Sequence, residues 1–247
     1  MEVHHPHHLN HKKNWKEYFL EFLMLFLAVF LGFIAENIRE TYIERHREKE
    51  YIASFIQNLR SDTADIRKAI ERNLVKSDAW YSLLHLGKQD LSTHAFDIQF
   101  YERFIQGASN PIFRPNDATL VQLKSSGNLR LVNKKEVSDS LLSYDKRSEL
   151  IVFHNEFLQN STDEIWNIGY SIFQGWIFAD STYLDLSKRK LLRKDLPPLS
   201  IQPAQLQLFF GHLGRSLLIL RVNREYLIQQ KEKATGLIIF LEKKYNL

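Results

Sequence analysis

The sequence predicts an all-α protein: one N-terminal transmembrane helix continuing into a stalk and an antiparallel helical bundle. Three observations carry this expectation. Residues Tyr18 to Ala35, YFLEFLMLFLAVFLGFIA, form an apolar run broken only by Glu21. Later stretches place apolar residues at alternating steps of four and three, the spacing of a helical seam. No stretch shows the sustained period-two alternation of a half-buried strand.

The apolar run sets the organisation. A bilayer core about 30 Å thick is crossed by about 17 to 25 apolar residues in helical form. Trp15 and Tyr18 are candidate headgroup anchors at its start. A cleaved signal peptide would carry a shorter core and a small-residue cleavage site. Here Ile34-Ala35-Glu36-Asn37 runs directly into a charged helical pattern, so a retained anchor is expected. The division that follows is a His-rich tail at 1–14, a span at 15–36, a stalk at 37–51 and a bundle domain at 52–247. Lys12, Lys13 and Lys16 on one side nearly balance Arg39, Arg45, Arg47 and Lys49 on the other. Long domains translocate largely regardless of flanking charge, so the N-terminus is expected in the cytoplasm and the domain outside.

Composition bounds the chemistry. The 247 residues are 44% hydrophobic and 25% charged, which is globular rather than disordered. A net charge of +4 is too mild to imply nucleic acid. With no cysteine, disulfides, thiol catalysis and thiolate metal sites are excluded.

In chain order, the tail MEVHHPHHLNHKKN places His4, His5, His7, His8 and His11 around Pro6. Imidazole ligates zinc, copper and nickel, so the cluster is a candidate transition-metal site. It has no carboxylate or thiolate beside it, and a mobile tail with no cofactor is the plainer expectation. Within the span, Glu21, Ala28, Gly32 and Ala35 fall near one helical face, and Ala28 to Gly32 is a small-xxx-small spacing. That face points to self-association into a homo-oligomer. Glu21 lies one turn in, close enough to reach the headgroups and stay hydrated.

The pattern from Ile38 continues through Tyr42, Arg45, Lys49, Ile52, Ile56, Leu59, Thr63, Ile66, Ile70, Asn73, Ser77, Trp80 and Leu84. Its first part is polar, a solvated stalk; its later part is apolar, a helix packed in a domain. Gly87 is expected to stop this helix in a left-handed conformation. Phe96 to Gln106 forms a short amphipathic piece, followed by the loop GASNPIFRPNDATL. Asn116 or Asp117 is expected to cap a helix through Lys124, ended by Gly127. Ser125-Ser126-Gly127-Asn128 is not a phosphate loop, since it has neither a GK[ST] sequence nor a preceding strand.

Asn133 with Glu136 is expected to cap a long helix whose stripe is Val137, Leu141, Tyr144, Ile151, His154, Leu158, Ile165, Ile172 and Trp176. Breaks are expected at Ser148 and around Asn160-Ser161-Thr162. A histidine on such a stripe, His154 here, is more often a satisfied core residue than a ligand. Between Phe178 and Pro203 the periodicity dissolves around the basic patch Lys188, Arg189, Lys190, Arg193 and Lys194. Such a patch meets anionic lipid or an acidic partner, or is a solvated connection. Pro203 suits the first turn of a last helix. Its expected seam is Leu206, Phe210, Leu213, Leu217, Leu220, Arg224, Leu227, Lys231, Ala234, Ile238 and Leu241. Arg224, if buried there, requires an acidic or carbonyl partner.

No HExxH, GxSxG, Walker A or dinucleotide-binding glycine pattern occurs, so no enzyme is expected. The span followed by AENIRE, together with TLVQLKSSGNLRLVNKKEVSDSLLSYD (119–145), resembles uncharacterised bacterial inner-membrane proteins with one N-terminal span and a helical domain of unknown function. The resemblance implies a single-pass inner-membrane protein with a periplasmic domain, and implies no catalytic residues. The expected function is therefore a membrane-anchored scaffold or sensor-like subunit. Its expected contacts are the lipid bilayer, copies of itself and a membrane or periplasmic protein partner. Two alternatives stay open: an ion- or proton-conducting oligomer with a ring of Glu21 side chains, and a metal-responsive protein using the N-terminal histidines.

Overall fold

The computed structural model describes residues 14–185 and 187–247. The expected histidine cluster, His4 to His11, lies outside the described residues. The described residues are all-α in class, with five α-helices: α1 (Trp15–Leu86), α2 (Asp97–Gly107), α3 (Ala118–Ser125), α4 (Lys135–Gly169) and α5 (Pro203–Tyr245). The chain divides into two units, Met1–Glu50 and Tyr51–Leu247, and the residues of α1 are shared between them.

In the first unit, the apolar part of α1 is long and apolar enough to cross a membrane, and none of that window is buried. Phe22, Phe26 and Phe30 stack along one side at i,i+4 spacing, with ring centroids 6.3 and 5.8 Å apart. The following charged turns carry the i,i+3 pair Glu36–Arg39 and the i,i+4 pair His46–Glu50. Such exposed pairs each add only about 0.3–0.5 kcal/mol of helical support.

In the second unit, the 51–86 part of α1 packs with α4 and α5. Cross-helix pairs fix the directions. Arg60 meets Glu242 and Asn73 meets Asn223, so α5 runs antiparallel to α1. Ser143 meets Lys233 and Glu164 meets His212, so α5 is antiparallel to α4 as well. Asp62 meets Tyr144 and Lys76 meets Thr162, so α1 and α4 run parallel. The expected antiparallel packing holds for α5 against α1 and α4, while α1 and α4 share a direction. The cause of that shared direction is the connection at 87–134, which carries α2 and α3 and returns the chain to the starting end.

The buried seam of α4 is Val137, Leu141, Tyr144, Ser148, Ile151, Asn155, Leu158, Thr162 and Ile165, an unbroken four–three alternation. The breaks expected at Ser148 and around Asn160-Ser161-Thr162 are therefore corrected: the helix runs through both. Each hydroxyl donates to the carbonyl four residues back, Tyr144 O and Leu158 O, which satisfies it inside the helix. Helix α4 ends at Gly169, so Ile172 and Trp176 lie beyond it, and its N-cap is Lys134 rather than Asn133. In α5, Leu213, Leu217, Leu220, Leu227, Ala234 and Leu241 are buried as expected. The intervening positions are Phe209, Ser216, Asn223, Gln230 and Leu237, several of them one residue before the expected members.

Gly87 follows α1 as expected, but for a different reason. Its φ is not positive; instead a Cβ there would stand 2.3 Å from the Phe210 ring. Gly127, at φ +68°, does take the left-handed conformation after α3. A small antiparallel pairing of β1 (Leu184–Asp185) and β2 (Lys190–Leu191) was not expected. Two residues per strand leave no period to read, and the pairing is pinned by Leu184 and Leu191, both buried in the core.

Candidate functional site

The core of the second unit is not one continuous apolar mass. One apolar cluster holds Ile52, Leu59, Leu141 and Leu237, a middle one Ile66, Phe113, Ile151 and Leu227, and a third Trp80, Phe104, Phe173 and Phe209. Buried polar side chains separate them, and these are the positions that hydrophobic periodicity passes over.

Between the first two clusters, Tyr144 donates its hydroxyl to Asp62 Oδ2 at 2.6 Å, and the Asn116 backbone N–H donates to Asp62 Oδ1 at 2.7 Å. Burial pushes the Asp62 carboxyl up, against these two hydrogen bonds, which hold it down. Tyr144 is also pushed up, by burial first and then by the Asp62 charge. Beside them Gln230 Nε2 donates to Ser148 Oγ at 2.7 Å. Its Oε1 is buried with no partner among the described residues.

Between the second and third clusters, Asn73 Nδ2 donates to Leu220 O at 2.9 Å, and Asn155 Nδ2 donates to Phe113 O at 2.8 Å. Next to Asn73 lies Lys76, 0% exposed. Its ammonium donates to Asn110 Oδ1 at 2.9 Å and Thr162 Oγ1 at 3.0 Å, and stands 4.8 Å from the Trp80 ring centroid. These partners are neutral, and no carboxylate pairs with it among the described residues. Burial, with the nearby Arg189 charge adding to it, pushes the Lys76 ammonium down to about 7; Asp163 opposes the shift. A fully buried lysine with neutral partners is held close to the point of losing its proton.

The positions singled out in the sequence fare differently. Glu21, Ala28, Gly32 and Ala35 are all exposed on α1, and a Cβ added at Gly32 would have open space. His154 is half-buried, edge-on to the Tyr226 ring at 4.6 Å, and burial pushes its imidazole down. That favours neutral aromatic packing over a ligand role. Arg224 is half-buried rather than buried, because Asn223 occupies the seam position in its place. No group of three or more histidine, aspartate or glutamate side chains that could hold a metal ion occurs among the described residues.

The basic patch is split by the hairpin. Arg193 forks onto Asp195 and lies over the Tyr183 ring at 4.6 Å, and Lys188 stands 3.7 Å from Asp185. Lys188, Arg189 and Lys190 line a groove of about 460 Å³, opposite Val75 of α1 and Glu102 and Gln106 of α2. Arg193 and Lys194 do not line it.

No protein-family model, no curated protein and no solved structure matches this chain. The reading of function rests on the residues themselves.

Proposed function

We propose that the protein is a single-pass, membrane-anchored, non-enzymatic scaffold or sensor-like subunit. It self-associates through its span and stalk, and a helical bundle domain is presented to a protein partner. The anchor sits in a bacterial inner membrane, with the N-terminal tail cytoplasmic and the bundle periplasmic.

One observation carries the reading. An apolar window of α1, mean hydropathy 2.3, has none of its residues buried. Leaving the 13 exposed large apolar side chains from Tyr18 to Ile34 in water is untenable at about 25 cal/mol per Å² of apolar surface. Hydrocarbon removes that cost. The Ala28/Gly32/Ala35 face lets two such helices approach closely. Several buried polar groups of the second unit are tied to one another or to backbone, Asp62 to Tyr144 and Asn73 to Leu220 O among them, as suits a structural interior.

Size analysis of the full chain in a mild detergent tests self-association. The expected result is a discrete oligomer that Gly32→Leu weakens towards monomer, since a leucine holds the helices apart. A wild-type monomer, with Gly32→Leu identical, contradicts the proposal.

A further inference from the structure

The cations around the β1–β2 turn are more numerous than the anions that face them. Arg189 and Lys190 line the groove and make no ion pair among the described residues. Arg72, three residues before the lining residue Val75, lies close enough for its charge to oppose that of Arg189. The Lys76 ammonium is in turn opposed by the Arg189 charge. Lys188 is compensated by Asp185, and Arg103 by Asp78 and Gln106. Glu102 is the remaining acid of the lining, and Asp163 faces Lys76 from α4.

Like charges held together by a fold cost free energy, and an anion of the right shape removes that cost. Arg189 also stands at φ +48°, one of three non-glycine positive-φ residues described. The turn that imposes this conformation is pinned by Leu191, buried against the core. A guanidinium presents a planar fork that matches phosphate oxygens. The opposite wall is of another kind: Val75 is apolar, and Gln106 and Glu102 are acceptors for a hydroxyl.

We propose that this groove is a binding site for a small, soluble organic phosphate. Arg189, Arg72 and Lys190 meet the phosphate, and Glu102 and Gln106 meet a hydroxylated end. The inference goes beyond the anchoring reading and stands independently of it.

Isothermal titration of the full chain in non-ionic detergent tests the site, with glycerol 3-phosphate, inorganic phosphate and glycerol as probes. The expected result is saturable binding of glycerol 3-phosphate, weaker binding of inorganic phosphate and none of glycerol. Removing one phosphate-facing guanidinium weakens a charge-assisted contact by about tenfold or more. Arg189→Ala and Arg72→Ala should each do so, while Lys194→Ala, in the same basic run but outside the groove, leaves affinity unchanged. Arg72 is exposed on a helix, so Arg72→Ala keeps the test valid should Arg189→Ala disturb the turn. Three outcomes overturn the proposal: no saturable binding of either phosphate, equal weakening by Lys194→Ala, or tighter binding of a short-chain phosphatidylglycerol than of glycerol 3-phosphate. The last assigns the cations to a lipid headgroup.

Discussion

Replacing Lys76 with methionine should remove a pH dependence from the stability of the second unit. Burial pushes this lysine from 10.5 down to about 7. The sign follows from which state holds the proton. Above about pH 10.5 the lysine is neutral folded and unfolded, and it costs nothing. Between 10.5 and about 7 the unfolded chain takes up a proton that the folded one refuses, so the wild type loses stability as pH falls. Below about 7 both states are protonated and the loss is complete. At about 1.4 kcal/mol per pH unit, the full loss is about 5 kcal/mol, of which about 2–3 kcal/mol lies between about pH 7.5 and 9.5. Lys76→Met keeps the stem volume, and the one Thr162 hydroxyl proton, shared between Leu158 O at 2.8 Å and Asn110 Oδ1 at 2.7 Å, stays available to Asn110. Guanidinium unfolding of the full chain in mild detergent, followed through tryptophan fluorescence, reads the change from Trp80 beside the site. The variant should be the more stable form at pH 7.5, and its advantage should shrink by about 2–3 kcal/mol by pH 9.5. A difference that stays constant across that range, or grows with pH, refutes the reasoning.

Other consequences are independent of Lys76. Tyr144→Phe leaves Asp62 Oδ2 without its hydroxyl donor and should cost about 1–3 kcal/mol, read as a lowered thermal midpoint. Gln230→Leu removes a buried Oε1 that has no described partner but also the Nε2 donor to Ser148 Oγ, so the two effects offset and the same melt should move by less than about 1 kcal/mol. Gly107→Ala places a Cβ 2.3 Å from the Trp80 ring and should cost about 1–3 kcal/mol. Gly211→Ala, in open space within α5, should instead gain about 0.5–1 kcal/mol. An equal effect of the two glycine substitutions would contradict the packing described around Trp80.

The helical character of the chain was legible because apolar period dominates it. The later part of α1, from Ile52 to Trp80, and the leucine series of α5 follow directly from steps of four and three. What periodicity cannot show is which polar residue takes a seam position when no apolar one is available. Asn223 and Gln230 are buried where Arg224 and Lys231 were expected: Asn223 Oδ1 accepts from Asn73 Nδ2 and Gln230 Nε2 donates to Ser148 Oγ, while the other atom of each amide has no partner among the described residues. A long cation there would have to surrender its hydration. The same limit hid Lys76 and Asp62, which look like members of an exposed charged face until α4 is laid against them. The parallel run of α1 and α4 was hidden for another reason. Direction depends on where the 87–134 connection returns, and neither Gly/Pro punctuation nor capping residues encode that. The basic patch was visible as composition, but its division into paired residues and groove-lining residues arises only from the two-residue pairing of β1 with β2.

Membrane attachment is tested most directly by lysing cells without detergent, washing the membranes in alkaline carbonate and sedimenting them at high speed. The anchored reading predicts that the full chain stays in the pellet until detergent releases it, and that deleting residues 15–36 moves it to the supernatant. Full-length protein already in the carbonate supernatant would contradict it.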